Sequence, residues 1–110
     1  MYTDEQKTQF NERAMLIILH AGNAREEIST AFDEVILSNY QKATSLIASA
    51  KENINRAHKI QTQEVQKEAR GERYYYSMLF SHAQDTLMTV QSEYNIAKKI
   101  IPVLKKIEEK

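Results

Sequence analysis

The sequence predicts an all-α protein, an antiparallel up-down-up bundle of three long helices. Only two glycines and one proline occur among 110 residues, so few positions can interrupt a helix. Apolar residues recur at steps of three and four along three stretches, which is the period of one buried helical face. Short connections separate these stretches, the second of them at residues 71–75, as they do between antiparallel neighbours in a bundle. A chain of this length is expected to form one domain, residues 1–110, around a single core.

The first helix is expected to begin at Thr3 or Asp4, where acidic residues suit the positive end of the helix dipole. It is expected to end near Ser38 and Asn39, which favour turns over helix interiors. The apolar face predicted for it consists of Phe10, Ala14, Ile17, Ala21, Ile28, Ala31 and Val35.

The second helix has an apolar face that turns polar before the helix ends. The apolar positions are Tyr40, Ala43, Ile47, Ala50, Ile54 and Ala57. The same face continues through Gln61, Glu64 and Glu68, and two interpretations remain open there, a solvated helix end or the lining of a pocket. The helix is expected to end near Arg70 and Gly71, because glycine is common just past a helix C-terminus.

The third helix carries more apolar surface than a lone bundle needs. Its predicted core face is Leu79, Ala83, Thr86, Val90, Tyr94, Ala97, Ile101 and Leu104. A second apolar edge comprises Met78, Ile96, Ile100, Val103 and Ile107. A bundle helix has to bury only one face, so the second edge predicts a further interface, most simply with another copy of the chain. Pro102 predicts a bend in this helix, which resumes beyond it.

Composition excludes several classes of function. Fifteen basic residues balance fifteen acidic ones, so no net charge attracts the chain to nucleic acid or to an anionic membrane. The absence of cysteine excludes disulfides, thiolate catalysis and zinc–thiolate sites. The longest apolar run, Ala14 to Leu19, falls well short of the ~20 residues of a membrane span. The polar N-terminus lacks a signal-peptide pattern, and we therefore expect a soluble, cytoplasmic protein without membrane insertion.

A cluster of polar residues interrupts the apolar pattern of the third helix. His82, Gln84 and Asp85 lie within four residues, and the spacing of His82 and Asp85 places them on one helical face. Antiparallel pairing sets His82 level with Glu64 and Asp85 level with Gln61, which predicts a pocket or an active surface at that height. A histidine there can act as a general base, a metal ligand or a phosphoryl acceptor. An ordinary solvated histidine is the alternative.

Four segments resemble the enzyme IIA family of the lactose/cellobiose phosphotransferase systems. They are AGNAR (21–25), AHKIQT (57–62), EARG (68–71) and YSMLFSHAQDTLMT (76–89), and the resemblance spans residues 17–89. It implies that His82 accepts a phosphoryl group from phospho-HPr and passes it to a cysteine of the IIB component. IIB then phosphorylates a sugar such as lactose, cellobiose, chitobiose or a related disaccharide at the permease. The resemblance thus implies a phosphohistidine carrier, with Gln84, Thr86, His58 and Gln61 as supporting residues.

The resemblance also implies a homotrimer packed through the third helix. Asp85 corresponds to an aspartate that gathers at the three-fold axis, where three copies can bind Mg²⁺ or another divalent cation. An apolar rim around the histidine, with Met78, Leu79, Phe80 and Met88 as candidates, is expected to receive HPr and IIB in turn.

One position departs from the family pattern. Thr86 stands where the family commonly has a second histidine. A threonine hydroxyl can donate a hydrogen bond to a phosphoryl oxygen, but it cannot carry a positive charge. A second hypothesis therefore stays open, a non-catalytic helical-bundle adaptor or regulator derived from the same fold.

Overall fold

The computed structural model describes residues 2–72 and 76–110, and within them it contains three long α-helices. They are α1 (Asp4–Ile36), α2 (Tyr40–Ala69) and α3 (Met78–Glu108). Each helix packs against both others, and together they form a rod of 63 × 20 × 18 Å. The predicted all-α three-helix fold is confirmed. The connection predicted at residues 71–75 falls partly on 73–75, which lie outside the described residues.

Polar contacts between helices establish the direction of each one. Arg13, near the start of α1, pairs with Glu64, near the end of α2, so these two helices are antiparallel. The hydroxyl of Ser77 donates to Asn11 Oδ1 at 3.3 Å, so α3 begins beside the start of α1 and runs parallel to it. These contacts place Glu64 and the first turns of α3 at the same end of the bundle, as the antiparallel alignment predicts.

Local sequence signals set the helix ends close to their predicted positions. Thr3 and Gln6 form a capping box at the start of α1, with each side chain bonded to the other's backbone N–H. At α3, Ser77 Oγ accepts from the N–H of Phe80 at 3.1 Å. Gly71 lies just beyond α2 with φ +75°, a conformation that favours glycine, which explains why the helix ends there.

The core is lined mainly by small and branched apolar side chains. Nine alanines have no exposed surface: Ala14, Ala21, Ala24, Ala31, Ala43, Ala50, Ala57, Ala83 and Ala97. Alanine at a helix contact lets neighbouring helices approach closely, because interaxial distance follows the size of the side chains between them. The larger side chains Ile17, Ile54, Leu87 and Val90 fill the remaining space, and the rings of Phe10 and Phe80 stack 4.7 Å apart.

The predicted core face of α3 needs one correction. Leu79, Thr86 and Leu104 are only half-buried, and Phe80 and Leu87, one position beyond the first two, are buried. The buried positions therefore run 80, 83, 87, 90, 94, 97 and 101, which alternates three and four residues and keeps one line along a 3.6-residue helix. The faces predicted for α1 and α2 are buried apart from Val35 and Tyr40, which are half-buried and pack against the core.

The second apolar edge of α3 is exposed, as expected for a surface that another chain could cover. Its side chains are 41–75% exposed: Met78, Ile96, Ile100, Val103 and Ile107. Pro102 lies inside the helix, and α3 continues beyond it to Glu108, in agreement with the prediction that the helix resumes. None of the three helices, over the residues the structure describes, is long and apolar enough to cross a membrane.

Two carboxylates make polar contacts at the far end of the bundle. Glu108 accepts a hydrogen bond from the hydroxyl of Ser38, which ties the last turn of α3 to the α1–α2 connection. Glu34 accepts from Asn39 Nδ2 at 2.9 Å and pairs with Lys42 at 3.3 Å. The last turn of α3 is therefore held to this connection, although Glu108 itself stays exposed to solvent.

These two carboxylates predict a loss of stability in acid. The hydrogen bond from Ser38 holds the pKa of Glu108 below its ordinary value of 4.5, and the bond from Asn39 lowers the pKa of Glu34 in the same way. A carboxyl whose folded-state pKa is lowered contributes stability above its ordinary pKa, and that contribution is lost as the pH falls through the lowered value. We expect the urea concentration at the unfolding midpoint to decrease as the pH is lowered below about 4.5. The decrease should be less steep in Glu108→Gln. An equal slope in the variant and the wild type would contradict the assignment.

Candidate functional site

His82 lies in the second turn of α3 with its side chain exposed to solvent. The turn that carries it is anchored from behind, since Phe80 and Ala83 on either side of it are buried in the core. The Ser77 cap fixes where this helix begins and therefore which residues face outward. An exposed imidazole on a rigid helix can reach a partner protein without a change of fold.

Two threonines bond to the backbone of the predicted site residues. Thr86 Oγ1 donates to the carbonyl oxygen of His82 at 2.9 Å, and Thr89 Oγ1 donates to that of Asp85 at 2.7 Å. Both are four-residue bonds within the helix. The sequence suggests that the Thr86 hydroxyl donates its proton to a phosphoryl oxygen. In the structure that proton is already donated to the carbonyl oxygen of His82.

Asp85 is exposed, and Gln84 beside it is half-buried. Among residues 2–72 and 76–110 of this single chain, no group of three histidine, cysteine, aspartate or glutamate side chains could hold a metal ion. At Asp85, one chain therefore offers a divalent cation a single carboxylate, and a fuller set of oxygen ligands there would require copies of Asp85 from other chains.

Glu64 is not part of a pocket with His82. Its side chain is 1% exposed, and its Oε2 lies 3.1 Å from Arg13 Nε and 3.0 Å from Lys67 Nζ. The carboxylate is thus turned into the bundle between two cations, whereas His82 faces solvent. Neither predicted interpretation holds for Glu64, since its carboxylate is buried and ion-paired. Glu68, one turn further on, is exposed as a solvated end would be.

His58 and Gln61 lie on α2 at the same end of the bundle. His58 is exposed, and its Nδ1 lies 3.5 Å from Thr62 Oγ1, one helical turn further on. Gln61 is half-buried. The part of the structure that is described records no hydrogen bond from either side chain to His82, so their predicted supporting role stays a prediction.

Only Met78 and Met88 of the four residues predicted for the apolar rim are exposed. Met78 and Met88 are 75% and 62% exposed and are available to a partner. Phe80 is buried against Phe10, so it belongs to the core and not to the rim. Leu79 is half-buried and packs against the core.

Sequence reasoning missed an apolar groove on α1. The groove has a volume of about 660 Å³ and is lined by Thr8, Asn11, Glu12, Met15, Leu16 and Leu19. Met15 and Leu19 are 54% and 55% exposed. Asn11 also accepts the hydrogen bond from Ser77, so the groove reaches the start of α3. The signal in the sequence is the apolar run from Ala14 to Leu19, which is too continuous for one buried face.

Known proteins are similar to this chain over nearly the whole bundle. Residues 12–105 match the family described as the lactose/cellobiose-specific IIA subunit of the PTS system. The chain is 38% identical over 90 residues to a PTS lactose-specific EIIA component of Staphylococcus epidermidis, covering 82% of this chain and 86% of the relative. It is 36% identical over 89 residues to an oligo-β-mannoside-specific EIIA component of Bacillus subtilis, covering 81% of each chain.

A solved structure gives the same result for the fold. The crystal structure of a PTS cellobiose-specific enzyme IIA from Bacillus anthracis superposes with a TM-score of 0.86 at 35% sequence identity. The match covers 100% of this chain and 96% of that one.

Proposed function

The chain belongs to the lactose/cellobiose-specific IIA family of the phosphotransferase system, and on this premise we propose that it is a cytoplasmic phosphocarrier whose His82 is transiently phosphorylated. Phospho-HPr would donate the phosphoryl group, and the cysteine of a IIB component would receive it. The relatives are named for different sugars, lactose and oligo-β-mannosides among them. The sugar proposed here is therefore a class, a disaccharide or short oligosaccharide related to lactose, cellobiose or chitobiose.

The exposure of His82 on α3 carries this proposal. A phosphocarrier must present one nitrogen to two partners in succession, and an exposed imidazole on an anchored turn can do so. Met78 and Met88 flank it on α3, and the α1 groove extends the apolar surface toward it. Apolar and methionine-rich surfaces suit a protein that receives more than one partner.

The chemistry asks little of the carrier beyond positioning. A lone pair on one imidazole nitrogen attacks the phosphorus, and the bond from phosphorus to the donor nitrogen breaks. In the next step the IIB thiolate attacks the same phosphorus, and the bond to His82 breaks. Phosphoryl transfer is catalysed mainly by in-line geometry and by stabilisation of charge, so a rigid helix with an exposed imidazole is sufficient scaffolding.

The test is phosphoryl uptake by the purified wild-type chain. Incubation with phosphoenolpyruvate, enzyme I and HPr is expected to add the mass of one phosphoryl group per chain, and acid should remove it because a phosphoimidazole is acid-labile. Intact mass spectrometry measures the gain. A chain that gains no mass in this mixture, while a known IIA protein does, would reject the carrier function.

The exposed edge of α3 supports assembly as a homotrimer. Ile96 and Val103 follow Asp85 by 11 and 18 residues, which correspond to about three and five helical turns. The three residues therefore lie on one line along α3. His82 lies about 60° to one side of that line, since it is three residues from Asp85. Packing along the line would bring copies of Asp85 together, with Mg²⁺ or another divalent cation between them, and leave His82 at the edge.

Asp85→Leu tests this arrangement. If three carboxylates meet at an axis, each is costly to bury without a cation. The leucine variant has no such cost, so we expect it to remain a trimer and its trimer to be unaffected by chelators. Light scattering with and without EDTA measures this, and Asp33→Leu, at an exposed position on α1, is the matched control. A wild-type monomer at micromolar concentration would remove the proposed role of Asp85.

The alternative, a non-catalytic adaptor of the same fold, is favoured by one observation. Thr86 replaces the family's second histidine and bonds to its own helix. An adaptor would bind HPr or IIB in a pull-down yet gain no phosphoryl mass in the uptake assay.

A further inference from the structure

Thr86 has only lone pairs left to offer to its surroundings. Its hydroxyl has one proton, and the carbonyl oxygen of His82, 2.9 Å away, can only accept a hydrogen bond. The proton is therefore committed to the backbone. The oxygen keeps its capacity as an acceptor, and a group that bonds to it must bring a proton of its own.

A second histidine–threonine pair in the chain shows what this spacing permits. His58 and Thr62 on α2 are also four residues apart, and there Nδ1 of the ring lies 3.5 Å from the threonine hydroxyl. Helical spacing of four thus brings the δ nitrogen to the long end of hydrogen-bond range. The ring of His82 is exposed, so it can turn toward Thr86 without displacing a core side chain.

We propose that Thr86 is a positioning residue for His82, whose hydroxyl oxygen accepts a hydrogen bond from Nδ1–H and so leaves the lone pair of Nε2 free for the phosphoryl group. The hydrogen bond at one ring nitrogen sets the tautomer, and hence the nitrogen that carries the lone pair. An acceptor that has no proton to give selects Nδ1–H. This inference rests on the proposed function, because it names the nitrogen that performs the transfer.

The step balances without any further reactant. Nε2 of neutral His82 attacks the phosphorus of an N-phosphorylated, ring-protonated imidazole of the donor protein. The donor nitrogen–phosphorus bond breaks, and its electron pair returns to the donor ring, which leaves neutral. The ring of His82 now bears the phosphoryl group and a positive charge, while Nδ1 keeps its proton. The Thr86 oxygen, bonded to that proton, stabilises the charge as it develops.

The tautomer of His82 is measured on the unphosphorylated protein by ¹⁵N NMR of the imidazole nitrogens at a pH where the ring is neutral. The wild type and Thr86→Ser are expected to hold mainly the Nδ1–H form. Thr86→Val keeps the shape and removes the acceptor, so the ratio of Nδ1–H to Nε2–H should fall roughly fivefold, the effect of one hydrogen bond. Thr89→Val, which removes the equivalent bond to Asp85, is the matched control and should match the wild type. An unchanged ratio in Thr86→Val overturns the proposal.

Uptake kinetics separate this proposal from the function on which it rests. Thr86→Val should accept the phosphoryl group roughly five times more slowly, with an unchanged urea midpoint, and Thr86→Ser should restore the rate. A wild-type rate in Thr86→Val overturns the role of Thr86 and leaves the carrier function intact. No uptake by the wild type overturns the carrier function, whereas the tautomer measurement still decides whether Thr86 orients the ring.

Discussion

The His82→Ala variant is expected to gain no phosphoryl mass at all, yet to unfold at the same urea concentration as the wild type. The imidazole is the proposed nucleophile, so its removal leaves no group to attack phosphorus. Its side chain is exposed and fills no space in the core, and exposed substitutions of this kind usually change stability by less than about 0.5 kcal/mol. Intact mass spectrometry and urea denaturation measure the two results.

His58→Ala is the matched control for that variant. His58 is also an exposed helical histidine, one turn from a threonine, and lies at the same end of the bundle. If His82 is the acceptor, His58→Ala should still gain the mass of one phosphoryl group, and a supporting role of His58 would change only the rate. Uptake that persists in His82→Ala and disappears in His58→Ala would transfer the proposed role to α2.

Removal of Arg13 is expected to destabilise the bundle far more than removal of its partner Glu64. Arg13→Met takes one of two cations from a carboxylate that is 1% exposed. Breaking a buried pair from one side costs about 3–5 kcal/mol where nothing else compensates the charge, and Lys67 offsets part of that cost. Glu64→Met removes the buried charge. The side chains of Arg13 and Lys67 are 30% and 34% exposed, so both cations can turn to water, and the cost should be under about 1.5 kcal/mol.

Urea denaturation of the two variants and of the double variant measures this asymmetry. Arg25→Met is the matched control, because its pair with Glu93 is exposed on both sides and should contribute less than about 1 kcal/mol. Equal losses from Arg13→Met and Glu64→Met would show that Glu64 is not held as a buried charge. Loss of phosphoryl uptake in Glu64→Met with stability unchanged would return Glu64 to the active surface.

Periodicity was sufficient to predict the bundle because its determinants are local. Steps of three and four, together with Thr3 and Gly71, predict three helices and most of their ends without knowledge of tertiary contacts. The correction at Leu79 and Thr86 arises because two lines of apolar residues run side by side on α3, and only packing decides which line faces inward.

The site was harder to predict. The spacing of residues in the sequence gives their height along the bundle, but it does not fully determine whether a side chain points into the core or towards solvent. Alignment places Glu64 level with His82 and says nothing of Arg13, whose approach from α1 draws the carboxylate inward. In the same way, a threonine in the sequence offers a donor and an acceptor alike. Only the 2.9 Å bond from Thr86 to the His82 carbonyl shows which of the two remains.

The alanine lining of the core has a consequence for His82 itself. Ala83, its immediate neighbour, has no exposed surface, so the backbone of the proposed nucleophile is separated from the core by one methyl group. The distance by which the imidazole projects from the molecule therefore depends on the volume of the core side chain at position 83. A bulkier residue at position 83 would raise the whole turn and shift the reacting nitrogen relative to any partner. Displacements of about 1 Å can slow a reaction that depends on in-line geometry by about a hundredfold. If His82 carries the phosphoryl group, the rate of transfer should therefore depend on a buried side chain that no partner touches.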